Sequence, residues 1–396
     1  MQFAERMNRL GTESAFDVLA KAKKLEAQGR KIIHLEIGQP DFPTPFNICE
    51  AAFRAMKDGY TGYGPAAGLL ELREVVAEHI STTRGIAVHP DEVVITPGAK
   101  PIIFFTLLAL VNEGDEVIYP EPGFPIYESV INFVGAKGIP LPLREEVDFR
   151  FHLDDLVDAI SERTRLLILN SPQNPTGGIL QKDELEVIAE LANKYDFYVL
   201  SDEVYSRILY EGSHESIIRF PGMKERTILL DGYSKTYSMT GWRLGYGVVP
   251  KPLVEKIVRL MINSNSCTCS FTQIAGIEAL KGEQDFVDRM VSEFKQRRDA
   301  VVDGLNAIAG ITCLKPAGAF YVFPNVRQIP LSCEALADYL LEEAGVALLA
   351  GTAFGKFGDG YLRISYANSL ENIQEALERI QVAVSKLKSE SSSAIV

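Results

Sequence analysis

Two kinds of apolar pattern alternate along this chain. Short runs rich in branched side chains, EVVIT, DEVIYP, RLLILN, FYVLS and TILLD, read as strands. Longer stretches such as KDELEVIAELANKY repeat their apolar positions at helical spacing. Strands alternating with helices predict an α/β fold with a mostly parallel sheet sandwiched by helices. The alternation spans about residues 45–290, which are expected to form a large domain. The remainder mixes amphipathic helices near Asp285–Ile308 and Ser369–Lys386 with strands in AFYVF and YLRISYA. With a helix near Ala15–Gln28, residues 1–44 and 291–396 are expected to form a smaller α+β domain.

Length agrees with that division, since 396 residues exceed one small core. The longest apolar run, IIFFTLLALV from Ile102, is ten residues. That is half of the ~20 needed to cross a bilayer, so it reads as a buried helix and no membrane association is expected. The opening MQFAERMNRLGTESAF has no apolar stretch of signal length, so export is not indicated, and the closing SESSSAIV reads as a frayed tail. A net charge of −13, spread along the chain, argues against nucleic acid as a partner. The five cysteines lack zinc or disulfide spacing, and a reducing cytoplasm fits them.

In open α/β sheets, ligands collect beyond the carboxyl ends of the strands, so the loop after each run carries the chemistry. EVVIT runs into PGAK, RLLILN into SPQNPTGG, FYVLS into DEVY, and TILLD into GYSK. The turn at Gly98, Ala99 and Lys100 opens a helix whose free N–H groups suit a phosphate or carboxylate, although it serves equally as a simple helix start. Asn174 lies in a turn fixed by Pro175 and Gly177. Asp202 ends its strand, with Tyr205 three positions later. Lys235 can form a Schiff base with a carbonyl, and the planar fork of Arg243 suits an anion. Together these are the parts that pyridoxal 5'-phosphate requires: an amine for its aldehyde, an acid for its ring nitrogen, partners for its phenolic oxygen and a phosphate site.

At the level of motifs the chain resembles the class I/II aminotransferases, the aspartate-aminotransferase-like branch of the fold type I pyridoxal phosphate enzymes. GYSKTYSMTGWRLG, from Gly232 to Gly245, agrees with that family's lysine signature. NSPQNPTG, SDEVY, EIGQPDF, GYGPAAG, GAFYVF and LRISYA support the match in the family's order, and the resemblance runs from about Arg9 to Val384. It implies that Lys235 is the Schiff-base and proton-transfer lysine, that Asp202 holds the ring nitrogen protonated, and that Tyr205 and Asn174 meet the phenolic oxygen. It also implies that Phe124 stacks on the cofactor, and that Gly98, Ala99 and Arg243 form the phosphate site. Tyr63 matches a tyrosine that reaches the neighbouring subunit's phosphate, which implies a homodimer with active sites at the subunit interface. Arg363 matches the clamp on the substrate α-carboxylate, with Gly38 beside it. The implied reaction moves an amino group between an amino acid and a 2-oxo acid.

Two departures matter. Gly232 stands where many relatives carry a phosphate-binding serine, so the role passes to Ser234 or to backbone groups, and Ser234 equally suits a helix start. Lys100 resembles the lysine with which a bacterial aspartate or prephenate branch binds a side-chain carboxylate, yet Glu13 and Ala15 stand where that branch uses Ser and Thr. Aspartate, alanine and a broader range of amino acids therefore remain open. GYGPAAG lacks the preceding strand of a dinucleotide loop. The five histidines show no metal-ligand pairing and read as structural or exposed. Glu203 reads as a surface or pocket-wall carboxylate. On the same scaffold the rival reaction is β-elimination by a C–S lyase, and the rival outside catalysis is an amino-acid-sensing module or an inactive relative.

Overall fold

The computed structural model describes residues 3–393. Its strands are β1 (Ile33–His34), β2 (Val93–Thr96), β3 (Glu116–Glu121), β4 (Lys137–Pro142), β5 (Thr164–Asn170), β6 (Tyr198–Asp202), β7 (Thr227–Gly232), β8 (Gly245–Val248), β9 (Tyr321–Val322), β10 (Val346–Ala347), β11 (Leu349–Ala350) and β12 (Leu362–Ser365). Seven of them form one sheet in the order β2-β8-β7-β6-β5-β3-β4. Every pairing is parallel except those of β8, which runs antiparallel to both β2 and β7. Two reversals cancel, so β2, β5, β6 and β7 all end at the same edge.

The runs read as nearly continuous hydrophobic segments because both faces of the sheet are covered. On β5, Leu166 and Ile168 pack with the helices Lys100–Leu110, Ile126–Phe133 and Lys251–Ser264. Their neighbours Leu167 and Leu169 pack on the other face with the helix Lys182–Tyr195. Farther along that second face, Val93, Ile95, Leu229 and Tyr246 meet the helices Phe46–Lys57, Leu70–Arg84 and Ser270–Lys281. A separate core gathers β1, β9, β10 and β12 with the helices Asp285–Asn306 and Leu370–Ser393. It is built on a three-stranded sheet, β11-β12-β9, and the β1-β10 pair.

Two strands of the seven-stranded sheet escaped the sequence reading, as did the two-residue strands β1, β10 and β11. KGIPLP forms β4 despite its glycine and prolines because it lies at the sheet edge, where a missing N–H costs no ladder bond. GYGV forms β8, whose glycines hide the strand pattern. The final helix continues through Ser393, farther than a frayed tail allows, while residues 394–396 of that segment and residues 1–2 of the opening one lie outside the described residues. No helix among the described residues is long and apolar enough to cross a membrane.

Those glycines are required by packing. A Cβ on Gly245 would lie 2.5 Å from Ala99 N and 2.6 Å from Gly98 C, both backbone atoms with no room to yield. Gly245 also pairs in register with Gly232, whose own Cβ would meet Gly245 Cα at 3.2 Å. The absent hydroxyl at Gly232 is therefore part of a close approach between β7, β8 and the 97–99 turn. Gly245→Ala is expected to destabilise the fold by about 1–3 kcal/mol, as overpacking does; urea unfolding of the two proteins measures the difference.

Candidate active site

The four strand ends bring their loops to one cleft, and β12 supplies its far wall. Lys235 lies on the one-turn helix Tyr233–Thr236 after β7, and its Nζ donates to the Gly38 carbonyl at 2.5 Å. The ammonium stands 5.9 Å from the Tyr205 ring and 5.8 Å from that of Phe320. Desolvation, and after it the positive charge of Arg363, pulls its pKa down to about 8, against the opposing pull of Glu13.

Asp202 ends β6 with its side chain buried, and Oδ2 accepts a hydrogen bond from Tyr127 Oη at 2.7 Å. Burial raises its pKa to about 6 even though that bond and the nearby Lys235 charge oppose the shift. Tyr205 is buried against Phe320 and Tyr321, and its hydroxyl pairs with that of Tyr321 at 2.8 Å. Asn174 Oδ1 accepts from Arg363 Nη1 at 3.2 Å.

Arg363 is inserted from β12 and is 4% exposed, with its guanidinium 4.6 Å from the Tyr321 ring and 4.9 Å from that of Phe354. Its Nη2 donates to the Glu36 carbonyl, while Nε has no partner among the described residues. Desolvation lowers its pKa. A buried guanidinium held only by neutral oxygens, with an orphaned N–H, has the chemistry of an anion site. A Cβ on Gly38 would meet Tyr321 Oη at 2.1 Å, so glycine lets the wall beside Arg363 approach Lys235.

At the other end, Gly98 has φ +86° and a Cβ there would lie 2.1 Å from Arg243 Nη2, so the turn and the guanidinium are in contact only because the side chain is absent. Arg243 donates to the Thr240 carbonyl at 2.8 Å. Ala99 caps the helix Lys100–Leu110, and Ser234 lies beside Lys235 on the short helix after β7. Phe124 stands edge-on to Tyr127, its ring 5.3 Å from Lys100 Nζ. A hollow of about 340 Å³ opens beside it, bounded in part by Gly11, Thr12 and Phe354. Lys100 is not free: it forms an ion pair with Glu13. Tyr63 is 93% exposed and takes no part in the cleft of its own chain.

Several cleft residues escaped the sequence reading. Tyr321 lies in GAFYVF, but that motif gives no sign that its hydroxyl reaches Tyr205. Tyr127, 75 positions from Asp202, left no signal at all. Glu203 is neither at the surface nor on the pocket wall. Strand alternation turns it away from Asp202, into a buried cluster where it accepts from Arg84 Nε at 2.7 Å, from Ser201 at 3.0 Å and from Ser216, with His214 Nε2 at 2.9 Å. Although burial opposes it, the charges of Arg84 and His214 bring its pKa down to about 2. Asp231 lies 3.5 Å from the same guanidinium, and burial raises its pKa to about 7. No group of metal-ligating side chains occurs among the described residues.

A lysine, a buried acid and two arginines thus meet at the carboxyl edge of an α/β sheet, an arrangement that suits a small anionic ligand. Residues 30–380 match the family model for aminotransferase class I and II. The chain is 42% identical to the aspartate aminotransferase of Pyrococcus horikoshii over 96% of its own length and 97% of that protein's. Among solved structures it resembles the aspartate aminotransferase from Thermus thermophilus with maleate, at TM-score 0.93 and 37% identity, covering 97% of this chain and 100% of that one. It also resembles the alanine aminotransferase from Pyrococcus furiosus, at TM-score 0.93, 34% identity and the same coverage. The chain belongs to the class I and II aminotransferases, a family of pyridoxal-phosphate-dependent enzymes.

The buried cluster behind the cleft gives a stability prediction. Arg84→Met leaves Glu203 and Asp231 without their shared cation and is expected to cost about 3–5 kcal/mol at pH 8. Asp231 is an acid whose folded pKa, about 7, lies above its ordinary value of 3.8, so its contribution to stability falls as pH rises from about 4 to about 7 and is level above that. The loss in Arg84→Met is therefore expected to shrink at pH 5, where Asp231 is protonated; urea unfolding at the two pH values tests the sign.

Proposed function

We propose that the cleft binds pyridoxal 5'-phosphate and transfers the amino group of an L-amino acid to a 2-oxo acid in two ping-pong half-reactions. The observation that carries this reading is that Lys235, Asp202, Arg243 and Arg363 converge on one cleft and none forms an ion pair among the described residues; Asp202 and Arg363 are buried, and the charges of a ligand would supply the partners they lack. The residues fit the cofactor at each point. Arg243 with the Gly98–Ala99 turn and Ser234 would hold its phosphate, Phe124 would cover its ring, Asp202 would meet the ring nitrogen, and Asn174 and Tyr205 the phenolic oxygen. Bound there, the cofactor supplies an aldehyde for the amino group and a protonated ring that takes up the electron pair left at Cα.

Arg363 binds the substrate α-carboxylate as a bidentate fork, with Asn174 fixing one arm and Gly38 leaving room beside it. That contact sets the orientation of Cα toward Lys235. Lys235 Nζ, neutral in part because desolvation weakens its hold on a proton, would take the Cα proton and return it at the carbon on the far side of the amino nitrogen. Asp202, as a carboxylate, stabilises positive charge at the ring nitrogen, and such a charge in turn lowers the pKa that burial has raised.

Three further parts belong to the same proposal. Tyr63, fully outward in one chain, would complete the phosphate site of a partner subunit, which makes the working unit a homodimer. Residues 45–290 would act as the cofactor-binding domain, with residues 1–44 and 291–396, which carry Arg363, as a smaller domain able to close on it. The five cysteines are unpaired, which supports a reducing cytoplasm as its place of work. The aspartate and alanine names of the relatives support either substrate class.

Mixing the cofactor-loaded protein with single amino acids tests the reading. Transamination is expected to change the cofactor absorbance and yield one equivalent of the matching 2-oxo acid; pyruvate with ammonia from a β-substituted substrate would show a lyase instead. Lys235→Ala is expected to lower kcat by about 10²–10⁴-fold or more, and full multiple turnover in that variant would refute the assignment. The rate at which cofactor-free protein captures pyridoxal 5'-phosphate is expected to rise with pH through about 8, as Lys235 loses its proton. Stopped-flow absorbance measures it, and a flat profile counts against the lysine as the attacking amine.

A further inference from the structure

Glu13 immediately precedes the helix Ser14–Ala27, and its carboxylate closes on the ammonium of Lys100, the first residue of the helix that opens the cofactor turn. The Glu13 side chain is 19% exposed and that of Lys100 is 46% exposed, with Lys100 Nζ 5.3 Å from the Phe124 ring. The negative charge of Glu13 is felt at Lys235, Arg363 and Tyr321. The pair therefore lies over the cleft rather than on a distant face.

Under the aminotransferase reading, on which this inference rests, Arg363 takes the α-carboxylate, Arg243 the phosphate and Lys235 the reacting centre. Lys100 is then the remaining cation of this cleft that a substrate side chain can meet, and the chain itself already neutralises it. We propose that Glu13 is a specificity-determining residue: by holding Lys100 it disfavours amino acids with a side-chain carboxylate relative to those with uncharged side chains.

A dicarboxylic amino acid must break the Glu13–Lys100 pair and then share one ammonium with a second carboxylate, so like charges are brought together around a single cation. An uncharged side chain requires neither step. Discrimination here comes from repulsion against one substrate class and not from added attraction to the other. Glu13 makes no side-chain cap bond to the helix it precedes, so its carboxylate is committed to Lys100 and not to the fold.

Steady-state kinetics with L-aspartate and L-alanine on the wild type, Glu13→Gln, Lys100→Ala and the double variant test the proposal. Glu13→Gln is expected to raise the aspartate-to-alanine ratio of kcat/KM by about tenfold or more, since like-charge juxtaposition is strongly unfavourable, with the change residing in KM for aspartate. The gain is expected to shrink several-fold in the Lys100→Ala background, because it is exerted through that ammonium. Cofactor absorbance per protomer checks that each variant is folded, and Glu13→Ala is expected to repeat the Glu13→Gln result. An unmoved or lowered ratio with turnover intact, or an equal gain for both amino acids, would overturn the role of Glu13 alone. A wild type that converted no amino acid at all would overturn the aminotransferase reading and this inference with it.

Discussion

The fixed geometry of the cleft depends on the Arg84 guanidinium buried behind it. Arg84 is the last residue of the helix Leu70–Arg84, and it reaches Glu203, just past the end of β6, and Asp231, near the end of β7. Those acids flank the functional residues: Glu203 comes directly after Asp202, and Asp231 precedes the turn that carries Lys235. Two carboxylates this close in a dry interior repel and favour protonation, and the guanidinium reverses that for Glu203 while leaving Asp231 raised. One cation thus ties together a helix and two strands at the point where Asp202 and the turn carrying Lys235 leave the sheet. A neutral replacement would relax both strand ends at once.

Opposite this charge-paired cluster, the same physics works in the other direction. Arg363 and Arg84 are similarly buried, and each keeps one nitrogen without a hydrogen-bond partner among the described residues, yet Arg84 meets two carboxylates while Arg363 bonds only to carbonyl and amide oxygens. Asp202 is buried with a phenol and a backbone N–H as partners and no cation. Such groups cost stability by themselves, and a ligand bringing the opposite charges would recover that cost. The contrast separates structural from functional charge here better than burial alone does.

The major features of the fold were legible because both faces of the sheet are covered, which makes its strands continuous apolar runs, and because four of those runs end in loops with distinct chemistry. Lys235, Asp202, Asn174 and Arg363 were legible from motifs, and they do come together. What escaped had no local signature. Strand β8 is written in glycines because it packs against the 97–99 turn, and β4 contains prolines because an edge tolerates them. Tyr321 and Tyr127 act across long sequence separations, and Glu203, one residue past the end of β6, differs from Asp202 in the side to which it turns, which composition cannot show.

Substrate choice and catalysis are separated in space by the same architecture. Under the proposed function, the groups that would meet what all amino acids share, the α-carboxylate, the amine and Cα, come from strand ends and buried walls, where a change in one residue disturbs packing on several sides. Those proposed to meet what differs among them, Lys100 and Glu13, are more exposed, and Glu13 lies in the segment before the first long helix, outside every buried core. An exchange of charge at Glu13 would then alter the preference for side chains without moving Lys235, Asp202 or Arg363. Structures named for aspartate and for alanine each match this chain at TM-score 0.93, so the shared scaffold does not set the substrate, and the motifs that place the chain in its family do not contain the Glu13–Lys100 contact.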